Sequence, residues 1–109
     1  MSKKSESARN NNSNNKYEQT KNSFIKEAKL NIKKIEQQNK LNKEHISDIE
    51  KFIEFAKEQS QNNDLNEEIR LKYKDLIKEQ ESLRDNMIKD IYNHNELIKF
   101  IKESIKDFH

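Results

Sequence analysis

The chain has 109 residues and a formal net charge of +2 at pH 7, and it contains no glycine, proline, cysteine or tryptophan. Charged residues make up 39% of it and hydrophobic residues only 30%, well below the apolar share of an ordinary globular domain. The missing glycines exclude phosphate-binding loops and dinucleotide fingerprints, and the missing cysteines exclude disulfide scaffolds, thiolate zinc sites and cysteine nucleophiles.

Residues 1–15 form the first predicted segment, a basic tail rich in asparagine and serine. The tail carries Lys3, Lys4 and Arg9, and one alanine is its only apolar side chain after Met1. It buries too little apolar surface to offset the entropy of ordering, so we expect it to be disordered. It also lacks the apolar stretch of a secretory signal. We therefore expect a cytoplasmic protein, or a nuclear one in a eukaryote, without membrane insertion.

Residues 16–60 follow a pattern that predicts one long helix. Seam positions recur at alternating steps of three and four residues, the heptad spacing of a coiled coil. Asn15 and Glu18 have the spacing of a capping box at its start. The predicted seam consists of Ile25, Ala28, Ile32, Ile35, Asn39, Asn42, Ile46, Ile49, Ile53, Ala56 and Ser60.

The polar cluster 61–64 predicts a turn, and a second helix is predicted over 65–109. Asp64, with Glu67 three residues later, is its expected N-cap. Two consecutive four-residue steps at Met87 predict a stutter, which locally unwinds a left-handed supercoil. The predicted seam consists of Ile69, Tyr73, Leu76, Gln80, Leu83, Met87, Ile91, His94, Ile98, Ile101, Ile105 and Phe108.

Two helices of about 44 residues joined by a short turn predict an all-α fold, a long antiparallel helical hairpin of the coiled-coil type. A turn centred near 62–63 places Ile32 opposite His94 and Tyr17 beside Phe108.

Apolar residues beside the seams predict a second face that needs burial. The candidates are Phe24, Phe52, Phe55, Tyr92, Leu97 and Phe100. A four-helix bundle of two copies, or docking onto partner helices, would cover them. A compact monomer whose first helix breaks around 37–43 is the third alternative.

Two kinds of polar residue interrupt the seams. Asn39 and Asn42 have two interpretations. They set the register and the oligomeric state, or they are filler residues, or the site of a bend, in a loosely packed middle of the helix. His94 has no Glu-x-x-His spacing around it, which di-metal bundles use. We expect no metal, no cofactor and no catalytic constellation, and hence no enzyme.

The leading hypothesis is a non-catalytic coiled-coil subunit that acts as a scaffold, tether or adaptor. Its partners are itself or other coiled-coil proteins. An alternative is a small phage- or plasmid-type helical effector that inhibits a larger protein machine. A third is weak nucleic-acid binding through the basic tail. Because the body is nearly neutral, with +1 over 17–60 and −2 over 61–109, it is expected to lack the clustered basic face of a nucleic-acid binder.

Overall fold

The computed structural model describes residues 2–108, with side-chain surroundings from Lys16 to Phe108. Two helices, α1 (Ser2–Ser60) and α2 (Glu67–Lys106), pack side by side as an extended rod. The predicted all-α helical hairpin is confirmed. Within the described residues, neither helix has an apolar stretch long enough to cross a membrane.

Helix α1 is unbroken through residues 37–43, which excludes the monomer with a broken first helix. The helical element spans Ser2–Ser60, with Asn15 inside it. The side chains of residues 1–15 lie outside the described part of the structure, so the boundary at residue 16 and the disorder of the tail both stay predictions.

The seam of α1 packs on α2 in two apolar clusters. Towards the open end, Ala28 and Ile32 of α1 form one buried cluster with Ile98 and Ile105 of α2. Towards the turn, Ile49, Ile53 and Ala56 of α1 form a second cluster with Ile77 of α2. Burying a large aliphatic side chain contributes about 1.5–3 kcal/mol relative to leaving it exposed, so these clusters are the main apolar stabilisation of the hairpin.

The first half of α2 is rotated by one position relative to its predicted seam. Ile69, Leu76 and Leu83 are 37–41% exposed, whereas the following residue in each case is buried or half-buried. The inward positions of this half are Arg70, Tyr73, Ile77, Gln80, Arg84 and Met87. The predicted seam is therefore wrong at those three positions.

This rotation removes the predicted stutter at Met87. The inward positions of α2 now alternate steps of three and four from Arg70 to Phe108, so one uninterrupted strip faces α1 without local unwinding. Arginine can occupy such a seam because its alkyl stem packs while its guanidinium reaches the edge. The Arg84 guanidinium does so, with Nε and Nη2 each 3.3 Å from Asp85 Oδ1.

The connection between the helices spans residues 61–66, longer than the predicted turn 61–64. Asn66, not Asp64, is the N-cap of α2, because its Oδ1 accepts a 2.9 Å hydrogen bond from the backbone N–H of Ile69. No described residue has a positive φ, so this connection needs no glycine. The second helix ends at Lys106 rather than at His109, and His109 lies outside the described residues.

The longer connection changes the register between the helices. His94 faces Asn39, with His94 Nδ1 2.8 Å from Asn39 Oδ1, and the rings of Phe24 and Phe108 lie 5.0 Å apart. The predicted partners, Ile32 and Tyr17, lie one heptad earlier in each case. The predicted register is therefore wrong by one heptad, because a turn centre placed by composition alone does not determine how the two helices align.

Cysteine cross-linking tests this register in a chain that has no cysteine of its own. We expect Ala28→Cys with Ile105→Cys to form an intramolecular disulfide, since these two residues face each other across the seam in the register that pairs Asn39 with His94. The control, Ala28→Cys with Ile98→Cys, joins residues of the predicted register. It should stay reduced, because one heptad displaces Ile98 by about 10 Å, beyond the reach of a disulfide. Non-reducing gel mobility distinguishes the two pairs, and preferential oxidation of the control pair would contradict the register.

Candidate functional site

A polar layer divides the two apolar clusters and joins the helices by hydrogen bonds. Asn39 is only 6% exposed. Its Oδ1 accepts from His94 Nδ1 at 2.8 Å, and its Nδ2 donates to Asn95 Oδ1 at 3.1 Å. Because Asn39 Oδ1 can only accept, His94 carries a proton on Nδ1.

The polar layer gives the hairpin a reason to prefer one register. A slip by one heptad would move Asn39 against an apolar seam residue and leave its amide buried without partners, which costs about 1–3 kcal/mol. Asn42 makes no such bridge: its Oδ1 accepts from Gln38 on the same helix at 3.1 Å. Of the two register candidates, only Asn39 joins the helices.

An apolar face runs along one side of the hairpin. Phe24 and Phe100, from opposite helices, line one groove with Ala28 and Ile101 beneath them. Nearer the turn, Phe55 lies 6.4 Å from Phe52 and 6.1 Å from Tyr73 between ring centroids. We define the apolar face as the exposed side chains of Phe24, Leu41, Phe52, Phe55, Ile69, Leu76, Leu83, Leu97 and Phe100.

Heptad geometry explains why these residues share a side. When the seam occupies positions a and d, all nine lie at positions g and c, which are neighbours on one flank of a helix. In an antiparallel pair, the g flanks of both helices lie on the same side. Tyr92 is the exception among the predicted second-face residues, because it lies on the opposite flank, 65% exposed.

A lysine face occupies that opposite flank at the open end of the hairpin. Lys29 and Lys33 of α1 line a groove with Lys102 and Lys106 of α2, above Ile32 and Ile105. Adjoining grooves add Lys99 and Lys26. We define the lysine face as Lys26, Lys29, Lys33, Lys99, Lys102 and Lys106, all of them exposed.

The expectation that the body lacks a clustered basic face is therefore wrong. Net charge summed along the chain conceals the cluster, because the carboxylates that balance these lysines lie mainly on other flanks. Glu36 is the one carboxylate lining the central groove, and Glu27 and Glu103 line the adjoining ones. Antiparallel packing then brings lysines together from segments far apart in the sequence.

Other chemistry is sparse within the described residues. Over residues 16–108 there is no group of three or more histidine, aspartate or glutamate side chains placed to hold a metal ion. The ion pairs in the same range are Lys72–Glu68 and Arg84–Asp85. Exposed pairs of this kind contribute little, about 0–1 kcal/mol.

Comparisons of the chain with protein-family models, with curated proteins and with solved structures found no match.

The polar layer is tested by Asn39→Leu, His94→Leu and the double variant. We expect Asn39→Leu alone to lower the free energy of unfolding by about 1–2 kcal/mol, because it leaves the His94 Nδ1–H without its partner. The double variant removes both partners and should match or exceed the wild type. Urea unfolding followed by circular dichroism, at one protein concentration, measures all three. If Asn39→Leu alone stabilises as much as the double variant, the two side chains are not paired in solution.

Proposed function

We propose that the chain is a non-catalytic coiled-coil subunit that pairs with a second copy through its apolar face, and so acts as a scaffold, tether or adaptor. The observation that carries the proposal is the large, one-sided apolar face left exposed after the hairpin has formed. Contiguous apolar patches of several hundred Å² on soluble proteins mark interaction sites.

The size of the face fits an interface between two proteins. Its nine side chains are each 37–66% exposed. At about 200 Å² for a whole large side chain, they present on the order of 800 Å². A standard interface buries about 800 Å² on each partner. A second hairpin laid on this face would turn two helices into a four-helix bundle with shared apolar layers.

The distribution of the apolar residues fits a second copy, which we place in antiparallel orientation. One patch lies near the turn and includes Phe52, Phe55 and Leu76. The other lies near the open end and includes Phe24 and Phe100. The patches are separated by about 40 Å along α1. If two copies lie antiparallel, the patch near the turn of each copy covers the patch near the open end of the other copy.

The position of the lysine face supports pairing through the apolar face. It lies on the opposite flank of the hairpin, so pairing through the apolar face leaves the lysines of both copies in water. Pairing through the other flank would bury the lysines of each copy against its partner, and removing charges from water without a partner is unfavourable.

The proposal is tested by Leu76→Glu with Leu97→Glu, one substitution near each apolar patch. We expect light scattering coupled to size exclusion to give the wild-type chain a molar mass near twice its 13.2 kDa. The double variant should elute as a helical monomer, because it buries unpaired carboxylates in the interface. The matched control is Leu71→Glu with Tyr92→Glu, two apolar residues that are 51% and 65% exposed and lie on the other flank. The control should remain dimeric.

Two results would contradict the proposal. A wild-type chain that stays monomeric and helical at high concentration would leave the apolar face to partner helices instead of a second copy. A dimer that survives in the Leu76 and Leu97 variant would place the interface elsewhere.

A further inference from the structure

We propose that the lysine face is a binding site for double-stranded nucleic acid, recognised through its phosphates. The proposal is independent of self-association, because the lysine face and the apolar face lie on opposite flanks. It also differs from binding through the tail, since every lysine of this face belongs to the described hairpin.

The lysines form two rows that face the same way. Lys26, Lys29 and Lys33 follow α1, and Lys99, Lys102 and Lys106 follow α2, on either side of the inter-helical groove. Packed helix axes lie about 8–10 Å apart, between the roughly 6 Å and 12 Å widths of the minor and major grooves of B-DNA. Flexible lysine side chains of both rows can therefore reach phosphates on either side of one groove.

The charges of this face are available for a ligand. None of the six lysines takes part in an ion pair over residues 16–108. Glu36 alone lines the central groove with a carboxylate. Each lysine that neutralises a phosphate releases condensed counterions, and this release drives binding that is independent of sequence.

The same geometry disfavours a membrane as the occupant. Peripheral binding to an anionic bilayer combines basic residues with apolar side chains inserted on the same side. Here most of the exposed aromatic rings, such as Phe55 and Phe100, lie on the flank away from the lysines, and Leu30 is the one exposed large apolar side chain that lines a groove of the lysine face. A rigid rod with its lysines on one flank and most of its aromatic rings on the other cannot insert those rings into the surface that the lysines contact.

The test measures binding of the full chain to a labelled 30-base-pair DNA duplex by fluorescence anisotropy. We expect a Kd on the order of micromolar at 50 mM KCl, and an affinity that falls steeply as salt rises to 200 mM. The face variant is Lys29→Glu, Lys33→Glu, Lys102→Glu and Lys106→Glu. It should bind at least tenfold more weakly.

The matched control is Lys34→Glu, Lys51→Glu, Lys72→Glu and Lys89→Glu. These lysines are exposed but lie on other flanks, and the control has the same net charge as the face variant. We expect the control to stay within about threefold of the wild type, with a salt dependence close to that of the wild type. Circular dichroism checks that both variants keep the helical content of the wild type.

Four results would overturn the proposal. The first is that the wild-type chain does not bind the duplex at 50 mM KCl. The second is that the face and control variants lose equal affinity for the duplex. The third is that affinity is lost only in a tail variant with Lys3→Gln, Lys4→Gln and Arg9→Gln. The fourth is tighter binding to phosphatidylserine vesicles than to the duplex, with the same dependence on the face lysines, which would assign the face to a membrane.

Discussion

The hairpin depends on one continuous strip of contact between α1 and α2. Within the hairpin each helix packs against the other, so register, turn and exposed faces all follow from how that strip is aligned. Apolar clusters at Ile32 and Ile53 supply most of the attraction, but similar aliphatic residues recur every heptad and tolerate a slip. The hydrogen bonds of Asn39 do not, because a buried amide without partners is costly. Attraction and specificity thus come from different residues of the same strip.

A two-helix seam also leaves much of each helix uncovered. Two positions in seven are buried, and the flanking positions form two separate sides because the helices are antiparallel. On one side Phe24 and Phe100 line the groove between the helices, and on the other side Lys29 and Lys102 line it. The molecule is therefore a rod with chemically opposite flanks. Pairing through the aromatic flank would display two lysine faces outward, which is the arrangement that a scaffold or tether of anionic partners would require.

A polar residue occupies a seam position of α2 next to a more apolar residue that does not. Arg84 lies in the seam through its alkyl stem, while the more apolar Leu83 lies at the rim. The one-position rotation of the first half of α2 joins its heptad pattern without interruption to that of the second half, which contains His94. It also moves three aliphatic residues, Leu76 among them, from the seam to the apolar face. The rotation that gives α2 an uninterrupted seam therefore also enlarges the apolar face that a partner can contact.

The amino-acid sequence by itself determined the fold class, the helical hairpin, the seam of α1 and the exposed aromatic candidates, because heptad periodicity is a local signal. Only the tertiary structure decided the register, the N-cap at Asn66, the position of Leu76 and the clustering of the lysines. Each of these depends on how two distant segments align, and that alignment is set by the connection at 61–66 and the bond between Asn39 and His94. The net charge of a sequence segment does not show on which side of a helix its charged residues lie. Lys33 and Lys102 become neighbours only when the helices are packed side by side.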